Sequence, residues 1–210
     1  LRYDGANGDG LDTIRVEQPA WGLQDAKAMH MDEAGNIYVT GSFQNCTDKN
    51  VQTLKLGAGF GMAWLVDHDE AGFDDEGLAV AVDDSGYVYV CGAAGNGNGG
   101  TDFLTLKYDP EGELVWKRIF APKGGPWPCK ASKLAISGGQ IVVTGTVNNY
   151  SKMNFATVVY EPDGTLGWSV LHHQGYGDDQ ALMLATKTFG VVYVSGISET
   201  PNGPAYTTVK

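Results

Sequence analysis

Apolar and polar residues alternate in short runs along the chain, and one such run returns four times. Its copies end at Gly41, Gly92, Gly145 and Gly196, at steps of 51, 53 and 51 residues. They read Gly-Asn-Ile-Tyr-Val-Thr-Gly, Gly-Tyr-Val-Tyr-Val-Cys-Gly, Gly-Gln-Ile-Val-Val-Thr-Gly and Gly-Val-Val-Tyr-Val-Ser-Gly. Alternation with a period of two predicts β-strands. The pattern therefore indicates a β unit that is repeated four times.

Two further markers keep the same period. One is a tryptophan, at positions 64, 116 and 168. The other is an apolar residue that lysine follows in three of four copies: Leu54-Lys55, Leu106-Lys107, Val158-Val159 and Val209-Lys210. Because three markers share one spacing, we interpret the chain as one domain of four units. The units are 26–76, 77–129, 130–179, and 180–210 completed by 1–25.

Each unit is predicted to contain four short strands. In the second unit these are Leu78 to Val82, Tyr87 to Cys91, Phe103 to Tyr108 and Glu113 to Phe120. Glycine-containing turns separate them, as at Asp83-Asp84-Ser85-Gly86. Four strands in a unit of this length are typical of a β-propeller blade. A β-sandwich needs no repeat and a β-helix repeats over fewer residues, so we expect an all-β propeller.

The repeat resembles that of a known family. Residues 32–41, 83–92 and 102–116 match the pattern D-x-x-G-N-x-Y-V-T-G … D-F-x-T-x-K-Y-D-x-x-G-x-x-x-W of the bacterial seven-bladed β-propeller (SBBP) repeat. The third and fourth units depart from it, with Ile136 and Lys187 in place of the first Asp. The resemblance implies a secreted or surface-attached protein without shared catalytic residues. The family's seven blades do not fit, since 210 residues hold four.

The chain is therefore either a closed four-bladed ring or an arc of a larger propeller. We favour the ring, in which residues 10–16 would supply the outer strand of the fourth blade (a 3+1 closure) and hide the free sheet edges. Alignment on Lys107 gives Arg2 and Lys210 the same strand position, with Leu1 and Val209 before it. Both ends cannot occupy one place. We therefore predict assembly contacts between copies at the chain ends, through Leu1, Arg2, Tyr3, Val209 and Lys210.

Charge and hydropathy argue against nucleic-acid binding and against a membrane-spanning segment. The 14 Lys and Arg against 25 Asp and Glu give a net charge of −11. A protein that tracks nucleic-acid phosphates needs a basic stripe, which the sequence lacks. No apolar run approaches the roughly 18 residues of a membrane span. Glycine accounts for 30 residues, roughly twice its usual ~7% share, as a turn-rich β protein requires.

The chain has three cysteines, which are too few for a disulfide framework. Cys91 is predicted to be a buried thiol, because Thr40, Thr144 and Ser195 hold its place in the other units. Cys46 and Cys129 lie in predicted loops and could pair in an oxidising compartment. The three repeated tryptophans are predicted to wedge each blade against its neighbour.

One acidic segment is a candidate cation site. Six carboxylates lie within residues 67–76, and oxygen-rich segments of this kind suit hard cations such as Ca²⁺. The expected ligands are Asp67, Asp69, Asp74, Asp75 and Glu76. The segment departs from a calcium-binding loop at Ala71 and Leu78, so a solvated acidic loop is the alternative.

The leading functional hypothesis is a non-enzymatic, extracellular structural or adhesive building block that needs no cofactor. It would self-assemble into a filament or tube. The first alternative is a cation-dependent module that binds glycans, such as an extracellular polysaccharide, or matrix. A hydrolase is the third hypothesis, and no repeated constellation of Ser, His and Asp supports it.

If residues 67–76 bind calcium, removing the cation should lower the melting temperature by several degrees, because a ligand of the native state stabilises it. The measurement is thermal unfolding with and without a chelator. Identical melting curves would contradict the calcium hypothesis.

Overall fold

A computed structural model describes residues 2–3, 6, 10–15, 24–122, 124–149, 152–173, 176–187 and 190–210. These residues form strands, turns and loops, and none of them belongs to a helix that could span a membrane. The strands are β1 Arg2–Tyr3, β2 Gly10–Asp12, β3 Gln24–Met31, β4 Ile37–Gln44, β5 Lys49–Leu56, β6 Met62–His68, β7 Glu76–Val82, β8 Val88–Gly95, β9 Thr101–Tyr108, β10 Leu114–Phe120, β11 Lys130–Ser137, β12 Gln140–Asn149, β13 Lys152–Tyr160, β14 Leu166–His172, β15 Asp179–Lys187, β16 Val191–Thr200 and β17 Gly203–Val209.

The strands from β3 onward form four antiparallel sheets in chain order. Blade 1 is β3–β6, blade 2 is β7–β10 and blade 3 is β11–β14, each with four strands in which neighbours along the chain pair. Blade 4 is β15–β17 and has three. The prediction of an all-β chain built from four-stranded units is therefore confirmed for three of the four sheets. The remaining two strands, β1 and β2, pair with each other.

The repeated glycine has a steric cause. Gly92 pairs with Gly77 where β7 is irregular in register, and a Cβ at Gly92 would collide with the carbonyl oxygen of Glu76. Gly41, Gly145 and Gly196 face the same obstacle in their own blades. A side chain at this position would therefore force the first two strands of a blade apart.

The turn between the first two strands of a blade is held by an aspartate. Asp83 accepts hydrogen bonds from the backbone of Ser85 and Tyr87, and from the hydroxyl of Tyr89. Gly86 closes the turn at a φ of +83°, a conformation that favours glycine. Asp32 and Tyr38 repeat the arrangement in blade 1. The Asp-x-x-Gly signature thus sets the hairpin and fixes the tyrosine that packs between blades.

Apolar side chains fill the spaces between consecutive blades. Blades 1 and 2 enclose a cluster around Tyr38, Val88 and Leu106, and blades 2 and 3 enclose the larger one around Tyr89, Phe103 and Trp116. The cluster between blades 3 and 4 has three buried members, Phe155, Ala181 and Val194. Cys91 lies within the second cluster, which confirms the predicted buried thiol.

The predicted closure of a four-bladed ring is not confirmed. The prediction places residues 10–16 beside the last strand, as its outer partner. Of these, residues 10–12 form β2, which pairs with β1, and β17 has only β16 as a partner among the described strands; Val16 lies outside the described residues. The first strands of consecutive blades pack on each other, in the order β3, β7, β11 and β15. The first strand of blade 4, β15, does not pack in this way on β3, the first strand of blade 1. The described residues therefore form an arc of four sheets with two open ends.

Trp116 and Trp168 should differ in their contribution to the stability of the fold. Trp116 is 8% exposed and Trp168 is 41% exposed. Replacing the buried indole in Trp116→Ala should cost roughly 3–5 kcal/mol, since it leaves a cavity between blades 2 and 3. Trp168→Ala should cost less than about 1 kcal/mol. Urea unfolding of both variants measures the difference, and equal losses would contradict the assignment of Trp116 as a packing wedge.

Candidate functional site

Consecutive blades are joined by a repeated contact, which we call the Lys–Trp latch. Lys55 and Trp64 of blade 1 both donate to the carbonyl oxygen of Pro110 in blade 2, at 3.2 and 2.9 Å. Lys107 and Trp116 of blade 2 donate to Pro162 of blade 3, at 2.8 and 3.1 Å. Each proline lies in the turn between the third and fourth strands of its blade. The latch therefore needs a complete outer hairpin on the neighbouring blade.

The turn is pressed against the indole. Gly112 has a φ of +93°, and a Cβ there would lie 2.9 Å from the Trp64 ring. Gly164 holds the same place against Trp116, and its carbonyl oxygen accepts from Nε of Arg118 at 2.6 Å. Burial of Lys107 lowers its pKa, because desolvation disfavours the charged ammonium. The proline carbonyl partly replaces the lost water.

The third latch has no acceptor among the described residues. Val159 takes the position of the lysine, and Trp168 takes that of the indole. The strand that should lead into the accepting turn, β17, ends at Val209. Beside Trp168 lies an open cavity of about 500 Å³, with walls that also include Val170 and Val194. The cavity lies where the earlier blade pairs place the outer hairpin of the next blade.

The outgoing face of blade 4 is the surface that a following blade would cover. Its members are Tyr193, Ser195, Ile197, Tyr206 and Thr208, by register with blade 2. Tyr206 is 92% exposed, whereas Phe103, at the same position in blade 2, is 1% exposed. The difference follows from coverage and not from residue type. Among the described residues, no sheet covers this face of blade 4.

The incoming face of blade 1 is the surface that a preceding blade would cover. Its members are Met29, Met31, Ile37, Val39 and Leu54. Met29 is 71% exposed, and Val80, which holds its place in blade 2, is 8% exposed. Ile14 and Arg15 border a cleft of about 300 Å³ with Val39 and Leu54. Ile14 and Arg15 therefore lie along part of this face.

Two of the predicted assembly residues lie at the blade 4 end of the arc. Val209 packs against the cluster between blades 3 and 4, and Lys210 lines the cavity beside Trp168. Arg2 and Tyr3 form β1. Leu1 lies outside the described residues.

The predicted calcium ligands accept hydrogen bonds from different parts of the protein. Asp67 accepts from the side chain of Gln52, Asp69 from the backbone of Gly72, Asp74 from the backbone of Lys49, and Glu76 from Lys130. Within the described ranges, no three His, Cys, Asp or Glu side chains are grouped as a metal site requires. The structure does not bring the five carboxylates together, and the calcium hypothesis stays a prediction.

Two of these carboxylates form a clamp that sequence reasoning missed. Asp75 is 1% exposed and accepts from the backbone N–H groups of Glu70 and Gly95, at 2.5 and 3.0 Å. Asp74 binds the start of β5 in the preceding blade. Asp178 and Asp179 repeat the pair, and Asp178 accepts from the start of β13. The same Asp-Asp pair thus recurs two repeat units later in the chain. This recurrence is the sequence signal that could have revealed the inter-blade clamp.

The clamp shapes a cleft on the face formed by the loops. The loops that follow β4, β6, β8 and β10 enclose about 520 Å³. Asp48, Asp74, Asn96 and Lys130 are among the polar lining residues, and Phe73 contributes a ring. Asn96 braces the wall by donating to the Gly125 carbonyl at 2.8 Å. The cleft is open, and its lining combines these polar side chains with apolar surface.

The cysteines make no disulfide. Cys46 is exposed, and Cys91 and Cys129 are buried, with all three thiols free. Burial raises the pKa of Cys129, so this thiol stays protonated at neutral pH. The suggested pairing of Cys46 with Cys129 is not formed in this structure.

Comparison with solved structures identifies the fold class. A protein of unknown function from Bacteroides caccae matches at a TM-score of 0.53 and 14% identity, over 89% of this chain and 61% of that chain. A subtype N11 neuraminidase-like protein of the flat-faced bat isolate H18N11 matches at 0.52 and 15%, over 96% and 62%. A eukaryotic initiation factor matches at 0.50 and 9%, over 78% and 35%.

These identities support a likeness in fold alone, namely a propeller-like arrangement of antiparallel sheets. The chain spans about three fifths of the length of the first and second of these structures. No family model matches the sequence, and the search of curated proteins found no relative. The resemblance to the bacterial propeller repeat therefore stays a prediction.

The Asp75 carboxylate should stabilise the loop face through its two backbone hydrogen bonds. Asp75→Ala leaves two N–H groups without their acceptor and should cost about 2 kcal/mol at neutral pH. Asp69→Ala is the matched control, because this exposed carboxylate serves one nearby N–H, and should cost about 0.5 kcal/mol. Chemical unfolding measures both, and equal costs would contradict the clamp.

The same comparison should depend on pH. Burial raises the pKa of Asp75 to about 6, above the ordinary value of the unfolded chain. The folded chain binds a proton here at a higher pH, so the stability of the wild type relative to Asp75→Ala should rise as pH falls from about 7 to about 4. The extra stability that comes from protonating Asp75 should be lost again as pH rises through about 6. Unfolding free energies across this range test the sign.

Proposed function

We propose that the protein is a non-enzymatic structural building block whose copies self-associate into an extracellular filament or tube. The contact joins the outgoing face of blade 4 in one copy to the incoming face of blade 1 in the next. The observation that carries the proposal is the pair of uncovered blade faces at the two ends of the arc. Each has a counterpart that is buried inside the same chain.

The two faces are chemically matched. Met29 and Met31 on blade 1 correspond to Val80 and Val82 on blade 2, which pack between blades 1 and 2. Tyr206 on blade 4 corresponds to Phe103, which packs between blades 2 and 3. A contact between copies would therefore repeat the packing that already joins consecutive blades.

Apolar burial supplies the driving force for this contact. Covering a large apolar side chain is worth roughly 1.5–3 kcal/mol, and four such side chains are more than 35% exposed on these faces. Part of the gain is spent on the lost freedom of the partners. The join is heterologous, because different surfaces meet, and such joins build filaments or tubes unless the rotation closes a ring.

The predicted closed ring is the intramolecular form of the same contact. There, blade 4 would meet blade 1 of its own chain, with residues 10–16 as its outer strand. The cleft of about 520 Å³ on the loop face favours the second hypothesis, a module that binds a polar ligand such as a glycan. The two hypotheses use different surfaces, so one protein can test them separately.

Charge on the incoming face should disrupt assembly. The double substitution Met29→Glu and Met31→Glu removes two apolar contacts and should lower the association constant by about a hundredfold. Met62→Glu is the matched control, since Met62 is 55% exposed but lies on the outer strand β6 of the same blade. It should leave association unchanged.

Light scattering over a concentration series measures the mass, and electron microscopy shows whether filaments form. A wild-type chain that stays monomeric at all concentrations would contradict self-assembly. Equal effects of the Met29/Met31 pair and of Met62 would show that the association uses another surface.

A further inference from the structure

The cleft on the loop face has a buried carboxylate in its wall. Asp48 is 6% exposed and is one of the lining residues. Its Oδ1 accepts from the side-chain amide of Asn50 at 3.1 Å, with that amide turned so that its nitrogen faces its acceptors. Its Oδ2 lies beside Gly72, where a Cβ would be 3.8 Å away. Since Gly72 lines the cleft too, this oxygen lies at the cleft wall.

A second carboxylate is fixed close to the first along the chain. Asp74 lines the cleft and accepts from the backbone N–H of Lys49 at 3.0 Å. The N–H of Asp75 donates to the carbonyl oxygen of Lys49 at 2.6 Å. These two hydrogen bonds attach the loop after β6 to the residue that directly follows Asp48. The backbone therefore holds both carboxylates in the same part of the lining.

The charge of the lining is unbalanced. Its charged residues, among those described, are Asp48, Asp74 and Lys130. Lys130 donates to Glu76 at 2.8 Å, so its charge has a partner outside the lining. The two aspartates form no ion pair with a described residue. A buried carboxylate without a counter-ion is costly, and a cationic ligand offsets that cost.

An aromatic ring stands next to these carboxylates. Phe73 is 43% exposed and precedes Asp74 in the same loop. Its ring packs on the glycine-rich segment at the end of β8, where a Cβ at Gly97 would lie 3.0 Å from Cζ and a Cβ at Gly95 would collide with the Cβ of Phe73. The two glycines make room for the ring. An exposed aromatic face attracts cations and packs on apolar ring faces.

We propose that the cleft binds an amino sugar unit of a glycan, with its protonated amine at Asp48 and Asp74 and its ring on Phe73. This inference rests on the second hypothesis, glycan binding, which it deepens, and it is independent of self-assembly through the blade faces. A volume of about 520 Å³ is larger than one ammonium group fills and suits a ligand with a ring. Sugar hydroxyls also donate to carboxylate oxygens.

A protonated amine suits this site better than a metal ion that bridges to the sugar. Calcium takes about six to eight oxygen ligands. Within the described parts of the chain, no three His, Cys, Asp or Glu side chains are grouped. A protonated amine donates hydrogen bonds on several sides and so matches two carboxylates directly.

The test compares two sugars on the wild-type protein, so that it does not depend on the folding of a variant. The glucosamine trimer carries free amines, whereas the N-acetylglucosamine trimer has the same ring framework without the charge. Calorimetric titration is done with a chelator present, at a pH at which the amines are protonated. We expect the charged trimer to bind at least about tenfold more tightly, and its affinity to fall as salt is added.

Variants then locate the binding. Asp48→Asn and Asp74→Asn remove the charge but keep an oxygen that accepts the existing hydrogen bond. Each should raise the Kd of the glucosamine trimer about tenfold, and Phe73→Leu should raise it about threefold. Asp84→Asn is the matched control, because it changes the net charge equally but lies in the turn after β7, at the other end of blade 2. It should leave the Kd within about twofold.

Each contrary result overturns the inference in a distinct way. Equal affinity for both trimers refutes recognition of the amine and leaves glycan binding standing. Binding that the chelator abolishes points to a bridging metal ion instead. A lysine-rich peptide that binds through Asp48 and Asp74 where the glucosamine trimer does not would assign the cleft to a basic protein segment. Absence of binding by all three probes also overturns the inference, and titration with neutral glycans then tests the second hypothesis separately.

Discussion

The structure depends on one constraint, which is that a blade of this sequence is apolar on both faces and must be covered on both. Blade 2 satisfies it, since Val88 points into one interblade cluster and Tyr89 into the other, and both are fully buried. Covering both faces of a strand is what removes the clean alternation of apolar and polar residues in its sequence. Blades 1 and 4 carry the same kind of residues, but among the described sheets each of them packs against one neighbour. The exposure of Met29 and Tyr206 follows from this difference in coverage.

The hydrogen bonds of the Lys–Trp latch fix how one blade is oriented on the next. Its two donors lie 55 and 46 residues before the proline carbonyl in both copies, so the repeat length fixes which residues meet. Apolar packing alone is non-directional. Hydrogen bonds from an indole and an ammonium to one carbonyl add direction, because each is made only at one relative position of the two sheets. Consecutive blades are thereby held in the same mutual orientation.

Local features of the fold could be predicted from the sequence because their causes are local. The glycines at 41, 92, 145 and 196 and the Asp-x-x-Gly turns have steric and hydrogen-bonding roles within one hairpin. Strand bounds were predicted less well. The second strand of blade 2 continues to Gly95, beyond the alternating run that ends at Cys91. Its last residues are held by Asp75, which precedes them by 20 positions.

Features that depend on contacts between units were not accessible in the same way. The carboxylates of residues 67–76 resemble a cation site in sequence, but their partners come from β5, from the end of β8 and from Lys130. Closure of the ring is a still longer-range property. It depends on whether the faces that carry Met29 and Tyr206 meet, and the residue pattern within a unit is the same in a closed ring and in an open arc.

Departures from the repeat in the later units fit the distribution of stability along the arc. Val159 replaces the latch lysine in blade 3, and Trp168 has no carbonyl partner among the described residues. The buried cluster between blades 3 and 4 is correspondingly small, with Phe155 as its one large member. Regions with few buried apolar contacts open at lower free energy than the rest of a domain. Blade 4 is thus held to its neighbour less firmly than blades 1, 2 and 3 are held to one another, because few buried apolar side chains lie at that junction.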